Sequence, residues 1–244
     1  MDNGRKTQHP GKKAAVGAMF DSIAWRYDFL NHFLSFGIDR SWRRKAIKSI
    51  SGLFAGPRIL DVATGTGDLA VEAMRLNPQK ITGIDISPGM LRLGQEKIRR
   101  KGLNRKIELM QGDSENIAFP GNSFEVAMSA FGVRNFSDPL KGLSEMKRVL
   151  TPGGVIMILE FSRPKTFPFR QLYYFYFLNI LPFFGRLFSK DKDAYRYLPD
   201  TVMQFPNNED FIKLLSRAGF INGKQKKLTF GVASIYTALK QSVQ

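Results

Sequence analysis

Apolar residues along this chain change their spacing, and each change marks a different kind of structure. Between Ala18 and Leu34, the residues Ile23, Tyr27, Leu30 and Leu34 recur as one face of a helix. Ser35-Phe36-Gly37 breaks that run, and a second helix is expected over 41–49 with Trp42, Ala46 and Ile47 on one side. From Arg58 onward, short apolar runs alternate with longer amphipathic ones. The pattern predicts strands over 59–62, 81–86, 107–111, 124–129, 155–159, 221–226 and 233–239. Helices are expected over 69–76, from Ser87-Pro88 to Gly102, from Ser137 and Pro139 to Leu150, and from Asn208 to Gly219. Pro152-Gly153-Gly154 reads as a turn. Strands this short and this continuously apolar suit a sheet covered on both faces. With right-handed crossovers the class is α/β, a Rossmann-like doubly wound sheet, mostly parallel with an antiparallel last strand. The early helices form an N-terminal cap on a single domain spanning 18–244, and residues 1–17 read as a flexible basic arm.

One stretch organises the rest. Ile59 to Ala70 reads ILDVATGTGDLA, a strand running into a glycine loop that opens a helix near Asp68. Strand, glycine loop and helix in that order grip an adenosine-type cofactor in an open α/β sheet. Gly65 and Gly67 allow backbone to approach a ligand closely, and the helix amides beyond them suit an anionic group. Gly65 to Ala70 also fits the loose dinucleotide pattern GxGxxA, so the loop alone does not separate a nicotinamide cofactor from S-adenosylmethionine. Ligands in such sheets sit at the carboxyl ends of the strands. Three acidic residues fall there: Asp61 beside the loop, Asp85 ending the second strand, and Asp113 ending the third, with Ser114 next to it. Asp85 is placed to accept hydrogen bonds from ribose hydroxyls, and Asp113 or Ser114 to meet an adenine edge.

The segment 163–205 breaks the alternation. It puts ten aromatic residues between 167 and 188, next to Arg170, Arg186, Lys190 and Lys192. It is too interrupted to span a bilayer. Its composition suits an aromatic helical insertion between strands five and six, acting as a lid over a greasy substrate or lying at an anionic membrane surface; packing on the sheet edge is the plainer alternative.

Composition narrows the chemistry. The chain has 244 residues, enough for one domain with embellishments, and a formal net charge of +16, which suits nucleic acid or an anionic membrane surface as a neighbour, or equally a protein that is simply soluble and basic. It contains no cysteine, which removes disulfides, thiolate zinc sites and cysteine nucleophiles together. With His9 and His32 its only histidines, no metal site is expected. There is no signal-peptide apolar core, so the chain is expected in the cytoplasm, peripheral on the inner face of the cytoplasmic membrane.

The motifs DVATGTGD, GIDIS, QGDSENIAF and RVLTPGG resemble the ordered motifs of class I S-adenosylmethionine-dependent methyltransferases. Tyr27-Asp28-Phe29-Leu30-Asn31, Phe131-Gly132-Val133-Arg134-Asn135 and Glu160-Phe161-Ser162 narrow this to the ubiquinone/menaquinone biosynthesis C-methyltransferase family, over about Met19 to Leu239. The resemblance implies S-adenosyl-L-methionine as cofactor and a polyprenylated quinol as substrate. Demethylmenaquinol is the leading substrate and a ubiquinone-pathway benzoquinol the alternative. It also implies that Gly65-Thr66-Gly67 holds the methionine end, that Asp85 binds the ribose, that Asp113 and Ser114 flank the adenine, and that Tyr27, Arg134 and Asn135 line the acceptor site. The chain departs from the family pattern at Leu30, at Asp39 where histidine is usual, at Ala130 where serine is common, and at Thr151. Nucleic acid is disfavoured as a substrate, because the covalent cysteine route is absent and no [DN]PP[YF] string serves an exocyclic amine. A non-catalytic membrane-binding module would not need the FGVRN loop. An oligomer is compatible with all of this.

Overall fold

The computed structural model describes residues 11, 13–22, 24, 37–176, 179 and 200–242. Tyr27, Leu30 and Leu34, and most of the aromatic insertion, lie outside the described residues. Within them the chain runs through helical residues 13–22 (α1) and then α2 (Ile38–Ser49), β1 (Arg58–Val62), α3 (Asp68–Ala73), β2 (Lys80–Asp85), α4 (Pro88–Arg100) and β3 (Ile107–Gln111). It continues with β4 (Phe124–Ala130), α5 (Pro139–Val149), β5 (Leu150–Phe161), α6 (Phe169–Phe175), α7 (Glu209–Arg217), β6 (Ile221–Leu228) and β7 (Ala233–Leu239).

The strands form one sheet in the order β3-β2-β1-β4-β5-β7-β6. Every pairing from β3 to β5 is parallel, and β7 runs antiparallel to both β5 and β6. Register alternates side chains between two cores. Ile59 packs with Trp42, Ala46 and Ile47 of α2 and Leu91 and Ile98 of α4 on one face. Leu60 and Val62 pack with Leu143 and Met146 of α5 and Phe211 and Leu215 of α7 on the other. Strands buried on both sides therefore read as nearly unbroken apolar runs. The order reverses between β1 and β4, and that switch point opens a crevice at the carboxyl ends of the strands.

Local chemistry places the helix starts. Ser87 accepts from the Met90 amide ahead of Pro88, as the sequence predicts. At α5 the cap is Asp138, which accepts from the Lys141 amide; Ser137 was expected there, but Asp138 is the residue directly before Pro139. Asn208 precedes α7 without a side-chain cap bond; its side-chain Oδ1 accepts from Gln225 Nε2 instead. Pro152-Gly153-Gly154 lies inside β5, which takes up the extra residues as a register shift against β4 instead of ending in a turn. α1 is already helical at residue 13, earlier than Ala18, because its first turns dock on the sheet through contacts that the helical period does not reveal.

Candidate active site

A cleft of about 710 Å3 opens at the switch point. Its polar wall is Gly65, Asp85, Asp113 and Ser114, from the ends of β1, β2 and β3, and Phe131, Asn135 and Phe136 close the β4 side. α1 supplies Lys13, Val16 and Phe20 as a roof. The β1 and β4 loops meet closely enough that only glycine fits at 132. A Cβ there would stand 2.6 Å from the Ala63 methyl and 2.7 Å from the Ser129 hydroxyl. Ala63 and Phe131 on either side hold left-handed backbone, with φ of 55° and 58°. Strain in non-glycine residues at a cleft is a mark of function.

Asp85 ties the cleft wall together. Its Oδ2 accepts from the Gly65 amide at 2.7 Å and its Oδ1 from the Ser87 amide at 2.9 Å. Burial pushes its pKa above the ordinary carboxylate range, and the backbone donors oppose that rise. Asp113 accepts from Lys13 Nζ at 2.9 Å and from the Glu115 amide at 2.8 Å. Burial acts upward on Asp113 too, but Lys13 prevails and holds its pKa below the ordinary range. Lys13 also pairs with buried Glu115 at 2.9 Å.

A second recess of about 390 Å3 lies on the other side of the glycine loop, walled by Asp61, Thr64, Thr66 and Arg43. Ala63, Gly65, Ala130 and Phe131 line both spaces, so the two are neighbours across the loop. Asp61 is fully buried. The Thr64 hydroxyl donates to its Oδ2 at 2.6 Å, while Oδ1 has no side-chain or backbone hydrogen bond drawn to it among the described residues. Burial pushes the Asp61 pKa up to about 7 against the pull of Thr64 and the Arg43 charge.

Arg134 and Asn135 sit in the short turn Val133–Asn135 after β4. Asn135 reaches the cleft, its Nδ2 lying 3.4 Å from the Phe131 carbonyl. Arg134 lines neither space. It donates to the Phe131 carbonyl and to Glu160 Oε2 at 3.1 Å, with its guanidinium 5.4 Å from the centre of the Phe161 ring. Tyr27, the third residue expected at the acceptor, lies outside the described residues. Sequence reading assigned no role to Glu160, Lys13 or Arg43. For Glu160 the signal was available: a lone carboxylate ending the apolar run Val155-Ile156-Met157-Ile158-Leu159 needs a buried cation.

The model of the ubiE/COQ5 methyltransferase family matches residues 7–240. The chain belongs to the ubiE/COQ5 methyltransferase family. It is 48% identical over 232 residues to a demethylmenaquinone methyltransferase of Bacteroides fragilis, covering 94% of each chain. It is also 48% identical over 237 residues to the ubiquinone/menaquinone biosynthesis C-methyltransferase UbiE of Geotalea daltonii, covering 96% of this chain and 99% of that one. Among solved structures, the [4+2]-cyclase SpnF is similar with a TM-score of 0.67 at 18% identity, over 93% of this chain and 96% of that one. A SAM dependent methyltransferase from Aquifex aeolicus is similar with a TM-score of 0.59 at 21% identity, over 81% and 88%. The structural likenesses show the fold; membership of the ubiE/COQ5 family makes the chain an S-adenosylmethionine-dependent methyltransferase.

The residues present fit that cofactor. Asp61 Oδ1 and the Ser137 hydroxyl at the cleft wall are buried without hydrogen-bond partners among the described residues, and a polar ligand would supply them. A Cβ at Gly65 would meet no protein atom, so the loop leaves open space beside both recesses.

Proposed function

We propose that this enzyme methylates a ring carbon of a polyprenylated quinol, with demethylmenaquinol as substrate and menaquinol as product. The observation that carries the reading is 48% identity along nearly the whole length to a protein named demethylmenaquinone methyltransferase. The cleft agrees with it: an acidic end at Asp85 and Asp113, and an aromatic end at Phe20, Phe131 and Phe136. The acidic end suits ribose hydroxyls and an adenine edge, and the aromatic end suits a flat ring.

When bound, S-adenosylmethionine supplies an electrophilic methyl carbon on a sulfonium, and the electron-rich quinol ring supplies the carbon nucleophile. The chain supplies position and charge. Asp85 fixes the loop that the cofactor lies on. Ser114 and Asp113 border the adenine end, and Thr66 and Asp61 the methionine end. Arg134 lies behind the cleft wall, where its pairing with Glu160 and the Phe131 carbonyl holds the turn that carries Asn135. Asn135 completes the acceptor wall among the described residues. A roof of α1 and the aromatic wall keep water from the reacting carbon.

The substrate's isoprenoid tail needs an apolar exit. Phe167, Leu172, Phe175 and Phe230 are at least 60% exposed on the side where the aromatic insertion leaves the sheet, and Phe169 stacks on Phe230 at 3.8 Å. With Lys165 and Arg170 beside them, these residues are the contact with an anionic membrane surface. Among the described residues no helix is long and apolar enough to cross a membrane. The test is a strain lacking the protein: its lipid quinones should accumulate one methyl (14 mass units by elementary composition) short, and purified enzyme should restore it. Loss of the methyl from a benzoquinone instead would move the substrate to that ring; unchanged quinones would overturn the reading.

A further inference from the structure

α1 crosses the mouth of the cleft and is tied down at both ends, by side chains of opposite sign. Lys13, Gly17 and Asp21 are spaced four apart and share one face of the helix. At one end Lys13 Nζ meets Asp113 and Glu115, each at 2.9 Å, just past β3. At the other end Asp21 Oδ1 accepts from the Ser87 hydroxyl at 2.5 Å and from the Gly89 amide at 2.8 Å, where α4 begins. Val16 and Phe20 line the cleft between the two ends. Ser87 is where this roof meets the wall of the site. Its amide donates to Asp85 Oδ1 at 2.9 Å, and its hydroxyl also accepts from the Met90 amide at 3.1 Å. α4 therefore has its own cap already, and the bond from Ser87 to Asp21, 66 positions away, is not needed to start the helix.

Gly89 supplies a second observation. Its backbone lies outside the left-handed region, so conformation does not demand glycine there. Space does: a Cβ at 89 would stand 2.8 Å from Asp21 Oδ1. A methyl group at 89 and the Asp21 carboxylate compete for one place. We propose that Asp21 is a positioning residue for cofactor retention: through Ser87 it locks α1 over the nucleoside end of the cleft and steadies the loop that carries Asp85, and the cofactor leaves only when this contact opens. A carboxylate that takes two donors at a helix start makes charge-assisted bonds. Asp21 is also solvent-exposed, so the contact can break and re-form without disturbing the core, as a closure must. The proposal rests on the reading that puts the nucleoside end of S-adenosylmethionine at Asp85 and Asp113.

The test is stopped-flow displacement of S-adenosylhomocysteine from wild type and three variants. Asp21→Ala should speed release about 3- to 10-fold, the loss of partly exposed charge-assisted hydrogen bonds. Gly89→Ala keeps Asp21 but puts a methyl group where its carboxylate sits, and should speed release by a similar factor. Because alanine favours a helix over glycine, the melting temperature of Gly89→Ala without ligand should hold or rise. A merely structural contact would move release and melting together. The double variant should release no faster than Asp21→Ala, since both changes remove one contact. Hydrogen exchange without ligand reads the roof directly: amides of residues 13–22 should exchange faster in both single variants, with those of β1 and β4 unchanged. Unchanged release in either single variant, or accelerations that multiply in the double variant, overturns the proposal. Wild type that fails to bind S-adenosylhomocysteine sinks the underlying reading instead.

Discussion

Glu160 and Arg134 form an ion pair of 3.1 Å in which the carboxylate side chain is fully buried and the guanidinium side chain is 6% exposed. The pair joins the end of β5 to the turn after β4, so the acceptor loop is anchored by a charge instead of by packing alone.

Removing one partner of such a pair leaves the other buried and uncompensated. Glu160→Ala should lower unfolding free energy by about 3–5 kcal/mol, measured by urea titration. Arg134→Lys keeps the charge but cannot span Glu160 and the Phe131 carbonyl with a planar fork. Turnover on a short-chain quinol should fall about a hundredfold, with S-adenosylhomocysteine affinity nearly unchanged. Full turnover in Arg134→Lys would take the fork out of the chemistry.

Asp85→Ala should weaken S-adenosylmethionine binding by about 1–3 kcal/mol, through unpaired ligand hydroxyls. Because the Gly65 and Ser87 amides lose their acceptor as well, the melting temperature without ligand should also drop. Calorimetry and a thermal melt on the same sample read the two effects.

Asp61 titrates in the folded chain at about 7, above an unfolded carboxylate. The folded state then holds an extra proton between the two values, so this group's contribution is fully present below about pH 4 and is lost as pH rises through 7. Asp61→Asn removes the dependence. Its stability relative to wild type should climb with pH over that window, by up to about 1.4 kcal/mol per pH unit. A stability difference flat from about pH 4 to 8 would contradict the buried, protonated carboxylate.

Lys13 closes the roof through partly exposed contacts, which salt screens. Raising salt from about 0.05 to 0.5 M should speed S-adenosylhomocysteine release severalfold in wild type. Lys13→Ala should release it fast at both salt levels. Stopped-flow displacement measures this, and equal salt response in the two proteins would argue against the roof as a barrier.

The exposed aromatics near α6 should bring the protein down with anionic vesicles at low salt, and Phe167→Ser with Phe230→Ser should abolish this. Salt-insensitive sedimentation with neutral vesicles would remove the electrostatic part.

The sheet was legible because two-sided burial leaves continuous apolar runs such as Ile59-Leu60 and Ile156-Met157-Ile158-Leu159, and because Ser87-Pro88 caps by local chemistry. The strand-end acids were legible for the same reason: a carboxylate closing an apolar run has few places to be. What escaped depends on contacts far apart in sequence. No local rule links Arg134 to Glu160, 26 positions on. Asp138 displaced Ser137 as cap because both are capping residues and only backbone geometry chooses between them. The start of α1 was missed because Lys13 and Val16 are held by the far side of the cleft and not by their own helix.

Lys13 and Asp113 are 100 positions apart, and among the described residues the chain between them contains three strands of the sheet and the helices α2, α3 and α4. On the ribosome α1 is made before every strand of the sheet, yet the groups that fasten it come much later. At about 5–20 residues per second, the interval is about 5–20 s. Throughout it Val16 and Phe20 have no cleft to wall. The newborn chain thus carries an apolar helix with nothing to rest on while three strands of its seven-stranded sheet are still being synthesised, and a segment made before the sheet is secured only after them.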